Sequence, residues 1–353
     1  MSNVIQLSFA NRSPSASDFS DQLAQALVHK RRVQGDVMWL KENAEFLSVM
    51  ETTGQSFDIS IYSDFYETIE RQLSFFPQYY RFYLGMALDL DALGYTSSKG
   101  EQMAHWVNEA GLIKGEMSDV QRAEGARLLK RADIELPEFD HLDRRLRQYM
   151  DHSQTFAVPN KKASYELTHL VFYLSEYGRK DPQLSPKAKT SLQYVGLLAL
   201  LDTNADLLSE VCIAMRFAGM TPPSAWEEWI ADIRARFTLE SAGSEGDDYH
   251  QYMMTQWCHM IGTGQGFEGP FAQDVHSFVP PLQYVSPLRQ MSEALFDMDQ
   301  HRSDDWFKMQ GKMTVDLTEP AYEILELAIE TSPVFDDFFG HFARCNTLMT
   351  ATS

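Results

Sequence analysis

From Ser164 to Cys345 the chain divides into helix-length segments, each carrying apolar residues at three- and four-residue spacing and most of them opened by Ser, Thr or Pro. This pattern constrains the fold most, because a side-chain period near 3.6 cannot gather its apolar set on one face of a strand. Helices are expected over Ser164–Tyr177, Pro186–Leu201, Ala205–Ala218, Ser224–Phe237, Tyr249–Ile261, Pro287–Met298, Thr318–Thr331 and Pro333–Cys345. The first half continues with Phe19–Val33 behind an Asp18 cap, Met38–Met50, Ser63–Leu73 and Tyr79–Leu93, and more weakly with Gly100–Ala110 and Ser118–Leu129. Tyr79–Leu93 follows Pro77, ends at Gly94 and is apolar around most of its circumference, so a central position is expected. Few segments alternate with period two, and none suggests a parallel sheet. An all-α fold is expected.

The stretch Ile134–Pro159 is more polar, contains Pro137 and Asp143-Arg144-Arg145, and reads as a boundary or a long surface connection. It separates an N-terminal helical region, residues 18–150, from a C-terminal one, residues 151–350, with the two packed as one large domain. Residues 1–17 are Ser- and Asn-rich and read as a flexible arm.

With 44% apolar residues the 353-residue chain can fill a core, and its net charge of −20 argues against nucleic-acid partners, which require clustered cations. The acidity reads as a solubility adaptation to a saline habitat. No apolar run approaches the roughly 18 residues of a membrane span, and no secretory signal opens the chain, so a cytoplasmic protein is expected. Cys212, Cys258 and Cys345 show no CxxC spacing, which disfavours a disulfide framework or a cysteine-rich metal site.

The segment Tyr165–Tyr173 places Glu166 and His169 among bulky apolar side chains, and ionisable groups are costly to bury unless paired or metal-bound. Asp206 and Glu210, four apart, share a face of a later helix, and His250 opens a further one behind Asp247-Asp248-Tyr249. Zn²⁺ takes imidazole nitrogen and carboxylate oxygen, so His169, Asp206, Glu210 and His250 form the expected ligand set, with Glu166 or Asp248 available to orient an imidazole. Tyr173 and Tyr249 are candidates to position a substrate, and Glu166 is a candidate catalytic acid or base.

Each of these residues also has a purely structural reading. Glu166 suits the first turn after a Ser164 cap, His169 a hydrogen bond in a helix interface, Asp206 a helix start, and His250 a helix N-terminus; Glu210, inside an apolar run, is the hardest to place on the surface. Other chemistries find less support. Gly262–Phe267 follows a helix and lacks a P-loop lysine, so it reads as part of a long connection beside a pocket; Cys258 and His259 point in different directions; no G-x-S-x-G elbow is present.

Asp248-Tyr249-His250 ahead of an apolar helix is similar to the segment that supplies the histidine zinc ligand in the β subunit of protein prenyltransferases, and Asp206 would match that family's carboxylate ligand. The resemblance implies an α/α toroid, a ring of paired helices. The family's cysteine ligand lies two residues after its aspartate, where this chain has Leu208, with Cys212 four positions later. Over about residues 160 to 265 the chain also resembles an uncharacterised group of bacterial helical proteins with Thr-His, Asp/Glu and Tyr-His elements in this order.

Two functions are compatible with these residues. One is a zinc-dependent enzyme with a small-molecule substrate in a sheltered pocket. The other is a noncatalytic paired-helix scaffold or regulator that binds a protein or peptide partner on an acidic face. Convergence of the acids and imidazoles would favour the first.

Overall fold

The computed structural model describes residues 16–137, 139–241, 246–267, 277–282 and 285–345. Its helices are α1 (Ala16–His29), α2 (Val37–Thr53), α3 (Ser63–Phe75), α4 (Tyr80–Leu93), α5 (Lys99–Glu109), α6 (Asp119–Lys130), α7 (Phe139–Met150), α8 (Lys161–Leu174), α9 (Pro186–Leu201), α10 (Ala205–Phe217), α11 (Ser224–Ala235), α12 (Tyr249–Thr263), α13 (Pro287–Asp297), α14 (Trp306–Met313), α15 (Glu319–Thr331) and α16 (Phe335–Phe342). The fold is all-α. Among the described residues the only strands are β1 (Thr238–Glu240) and β2 (Ser277–Val279), paired antiparallel with Leu239 opposite Phe278.

Local capping sets the register of the helices that matter for function. Asp36 accepts from the Met38 amide at the start of α2, Asn160 from Ala163 at α8, Asn204 from Leu207 at α10, and Asp248 from Gln251 at α12. Gly54 and Gly264 end α2 and α12 in the left-handed region, with φ of 65° and 73°. The helix expected to begin at Ser164 therefore begins a turn earlier, behind Asn160. Asp18 is likewise not the cap of α1, which starts at Ala16.

The core explains where the helices sit. From Leu197 to Leu201 every residue of α9 is buried, and Met86 to Leu90 of α4 are buried in the same way, as its apolar circumference suggested. A single cluster of buried apolar side chains runs from Leu23 to Ala343 and joins residues on both sides of position 150. Within it α10 packs on α8, α9 and α12, while α2 touches both α4 and α12 and α6 touches α8.

One reading is corrected and one helix is added. Ile134–Pro159 is not a surface connection: α7 occupies much of it and buries Leu142, Leu146 and Met150, and the following turn buries Phe156 and Ala157. A stripe of one apolar residue per turn is easily lost among Asp and Arg, yet it is enough to dock a helix. Helix α14, with Trp306, Met309 and Met313 buried, was likewise not marked by the sequence. The expected arm, residues 1–17, lies outside the described residues except for Ala16 and Ser17 at the start of α1. Of the Gly262–Phe267 connection, Phe267 is buried and stacks 6.2 Å from Phe46. No helix among the described residues is long and apolar enough to cross a membrane.

Candidate metal centre

Asp206 and Glu210 lie one turn apart on α10, and the packing of α10 against α8 and α12 brings His169 and His250 to the same face. Asp206, Glu210 and His250 each offer a ligand atom, all within 4.8 Å of one another. His250 Nε2 is 3.3 Å from Asp206 Oδ1 and 3.7 Å from Glu210 Oε1, and His169 Nε2 is 3.6 Å from Glu210 Oε1. Ligands of a tetrahedral ion with metal–ligand distances of about 2.0–2.2 Å stand about 3.3–3.6 Å apart; the His250–Asp206 spacing falls in that range, and the triad as a whole, with its ligand atoms within 4.8 Å of one another, would draw together around an ion.

Each carboxylate is held on its far side. Tyr165 donates to Asp206 Oδ2 at 2.7 Å, and Thr168 donates to Glu210 Oε2 at 2.5 Å, which leaves Oδ1 and Oε1 turned toward the imidazoles. Asp206 Oδ1 is buried and has no hydrogen-bond partner. His250 Nδ1 lies 3.0 Å from Glu45 Oε2 on α2. With one proton on Nδ1 shared with Glu45, loss of the other would leave the Nε2 lone pair facing Asp206 and Glu210, as in a carboxylate–histidine–metal arrangement.

Electrostatics reflect this crowding. Burial pushes Asp206 up, and Glu210 beside it adds to the rise although His250 opposes it. Burial also opposes ionisation of Glu210, but His169 and then His250 outweigh it and hold the carboxyl below its usual range. Burial would lower both imidazoles, yet Glu210 raises His169, and Glu45, Glu210 and Asp206 raise His250 well above 6.5. Without an ion the cluster therefore behaves as a mutually neutralising set of acids and imidazolium groups.

The group opens onto a cavity of about 400 Å³ walled by α2, α4, α6, α8, α10 and α12. His169, whose side chain is 40% exposed, faces it, whereas Glu210 at 1% forms its floor. Tyr173 lines the wall one turn beyond His169, with ring centres 6.1 Å apart. Tyr249 is not among the lining residues; its ring lies edge-on to His250 at 6.2 Å and its hydroxyl is buried without a partner.

Glu166 does not join the group. Its carboxylate accepts from Tyr149 on α7 at 3.4 Å and lies 3.8 Å from Lys162, since the offset of about 60° between positions three apart turns it away from His169. Asp248 caps α12 and does not orient His250; Glu45 has that place. Nothing near Glu45 in the sequence marks it, because Lys41 four residues earlier makes it read as half of an ordinary surface pair. Tyr165 and Thr168 were visible only as neighbours of the candidate residues. Cys212 is fully buried beside Cys258, and burial pushes its thiol well up.

Fold and site together define an all-α protein with a carboxylate–imidazole cluster at the base of an aromatic- and charge-lined cavity. The chain belongs to the family described as Domain of unknown function (DUF6902), which matches residues 1–345. No curated protein and no solved structure matches it.

Proposed function

We propose that the protein is a metal-dependent enzyme in which Asp206, Glu210 and His250 bind one divalent ion, with Zn²⁺ the first candidate, and His169 stands beside Glu210 on the open side that a substrate or water would take. The observation that carries this reading is Asp206 Oδ1, a buried carboxylate oxygen without a hydrogen bond, 3.3 Å from an imidazole nitrogen whose partner atom is engaged by Glu45. That oxygen has the His250 imidazole as its ion-pair partner but no hydrogen bond, and a cation held between the two would satisfy it in place of a proton. Mixed nitrogen and oxygen donors suit zinc, and other first-row ions accept the same set. The cavity gives such an ion a substrate side: His169 faces the space, and Tyr173 stands within reach of a bound molecule. Convergence of two acids and two imidazoles favours this over the scaffold reading.

Protein purified without chelator is expected to carry about one equivalent of metal by elemental analysis, and stripped protein to recover it on titration. Asp206→Asn combined with Glu210→Gln should abolish uptake, and His169→Ala should weaken it. A stripped protein that takes up neither Zn²⁺, Fe²⁺ nor Mn²⁺ would overturn the reading.

A further inference from the structure

The cavity above the cluster contains three guanidinium groups, and two of them are neutralised. Arg81 pairs with Glu116 at 3.1 Å and with Glu124 at 2.5 Å, and Arg131 pairs with Asp89 at 2.6 Å. Lys41, also in the wall, stands 4.0 Å from Glu45. Arg127 on α6 differs: no ion pair joins it to a carboxylate among the described residues, and its Nε is buried without a hydrogen bond. Its guanidinium carbon lies 4.2 Å over the Tyr177 ring.

The wall between Arg127 and the cluster is aromatic. Tyr177 is 6.3 Å from Tyr173 and stacks 5.9 Å from Trp257, and Tyr173 is 6.1 Å from His169. An aromatic wall, its rings inclined to one another by 27° to 45°, thus connects a guanidinium without an ion pair at one end with the carboxylate–imidazole cluster at the other. Arginine presents a planar fork suited to a carboxylate, and an aromatic rail favours a planar, unsaturated body.

From these placements we propose that the cavity binds a planar aromatic monocarboxylic acid, its carboxylate on Arg127 and its ring against the aromatic wall between Arg127 and His169. This names the substrate class of the metal site and rests on that reading for its reaction, while the Arg127 contact itself needs no metal. Asp89 and Glu124 also face the space, paired with Arg131 and Arg81, and Asp89 is near enough to Arg127 for the two charges to attract, so a bound carboxylate would compete with it for Arg127.

Calorimetric titration with trans-cinnamate and with the neutral cinnamamide, on metal-loaded and on chelator-stripped protein, tests this. Cinnamate is expected to bind both forms, at least about tenfold more tightly than the amide, with Arg127→Gln removing that preference and Arg127→Lys restoring part of it. The proposal is overturned by equal affinities, by absence of cinnamate binding, or by binding that Arg127→Gln leaves unchanged, since the carboxylate would then sit on the metal or elsewhere. Stoichiometric metal without Arg127-dependent binding sinks this inference alone. Arg127-dependent binding in a protein that takes up no metal sinks only the metal reading.

Discussion

His250 Nδ1 meets the Glu45 carboxylate at 3.0 Å across 205 residues of sequence, so an α2 side chain sets which nitrogen of an α12 imidazole faces Asp206. A carboxylate behind an imidazole raises its basicity and fixes its tautomer. Glu45→Gln is expected to weaken Zn²⁺ binding by about 10- to 100-fold without changing its stoichiometry, as read by competition with a chromogenic chelator. An unchanged affinity would remove Glu45 from the site.

Tyr165 and Thr168 hold the outer oxygens of Asp206 and Glu210. Tyr165→Phe should lower metal affinity by a smaller factor than Asp206→Asn, and the stripped protein should melt at a lower temperature, because the buried carboxylate loses its hydrogen-bond donor. Equal losses in the two variants would mean that Tyr165 does more than orient the carboxylate.

The pH dependence of the stripped protein follows from the directions of the shifts. His250 is raised well above 6.5, so its stabilising contribution is complete below that value and is lost as pH rises through the folded value. Asp206, raised above 3.8, also makes the folded state less stable as pH climbs, whereas Glu210, lowered from 4.5, contributes above that value and loses its contribution as pH falls. Stripped protein should therefore melt highest between pH 4.5 and 6.5 and lower at pH 8. Zn²⁺ should add most at pH 8, where the imidazoles give up their protons more readily. Scanning calorimetry across this range with and without metal decides the matter, and a monotonic rise in apo stability from pH 5 to 8 would contradict it.

Arg31 and Glu42 form a fully buried pair at 2.9 Å, extended by Asp247 at 3.0 Å, which ties the end of α1 and the start of α2 to the approach to α12. Arg31→Met leaves Glu42 buried with only Arg32, at 3.0 Å, to answer it. A loss of about 3–5 kcal/mol in chemical denaturation is expected. A loss below 1 kcal/mol would show that Arg32 alone suffices.

Gly196 lies against Trp226, and a Cβ there would overlap the indole ring. Gly196→Ala should cost about 1–3 kcal/mol by denaturant titration, since both partners are in the packed interior. Metal uptake should survive, because the indole is not part of the cavity wall.

Much of the architecture was legible locally. Capping residues, proline starts and three- and four-residue apolar spacing act within one or two turns, so helices such as α9, α10 and α12 could be read from the chain nearly residue by residue. Where the apolar stripe was thin, as at Leu142, Leu146 and Met150, the polar majority hid a helix whose position depends on what it packs against. The short β1–β2 pair was invisible for a related reason: three residues carry no usable alternation, and the partner strand is remote in sequence.

The sequence by itself determined an acidic, helix-built chain in which Asp206 and Glu210 share a face and His169 and His250 sit in apolar surroundings, because those properties depend on composition and on the period of a single helix. Only the tertiary structure decided that Glu45 stands behind His250, that Glu166 turns to Tyr149, and that Arg127 faces the same cavity with its Nε buried and without a hydrogen bond. One residue advances a helical side chain by about 100°. Which side chains converge from separate helices is therefore set by the packing angles between them, and no local pattern records those angles.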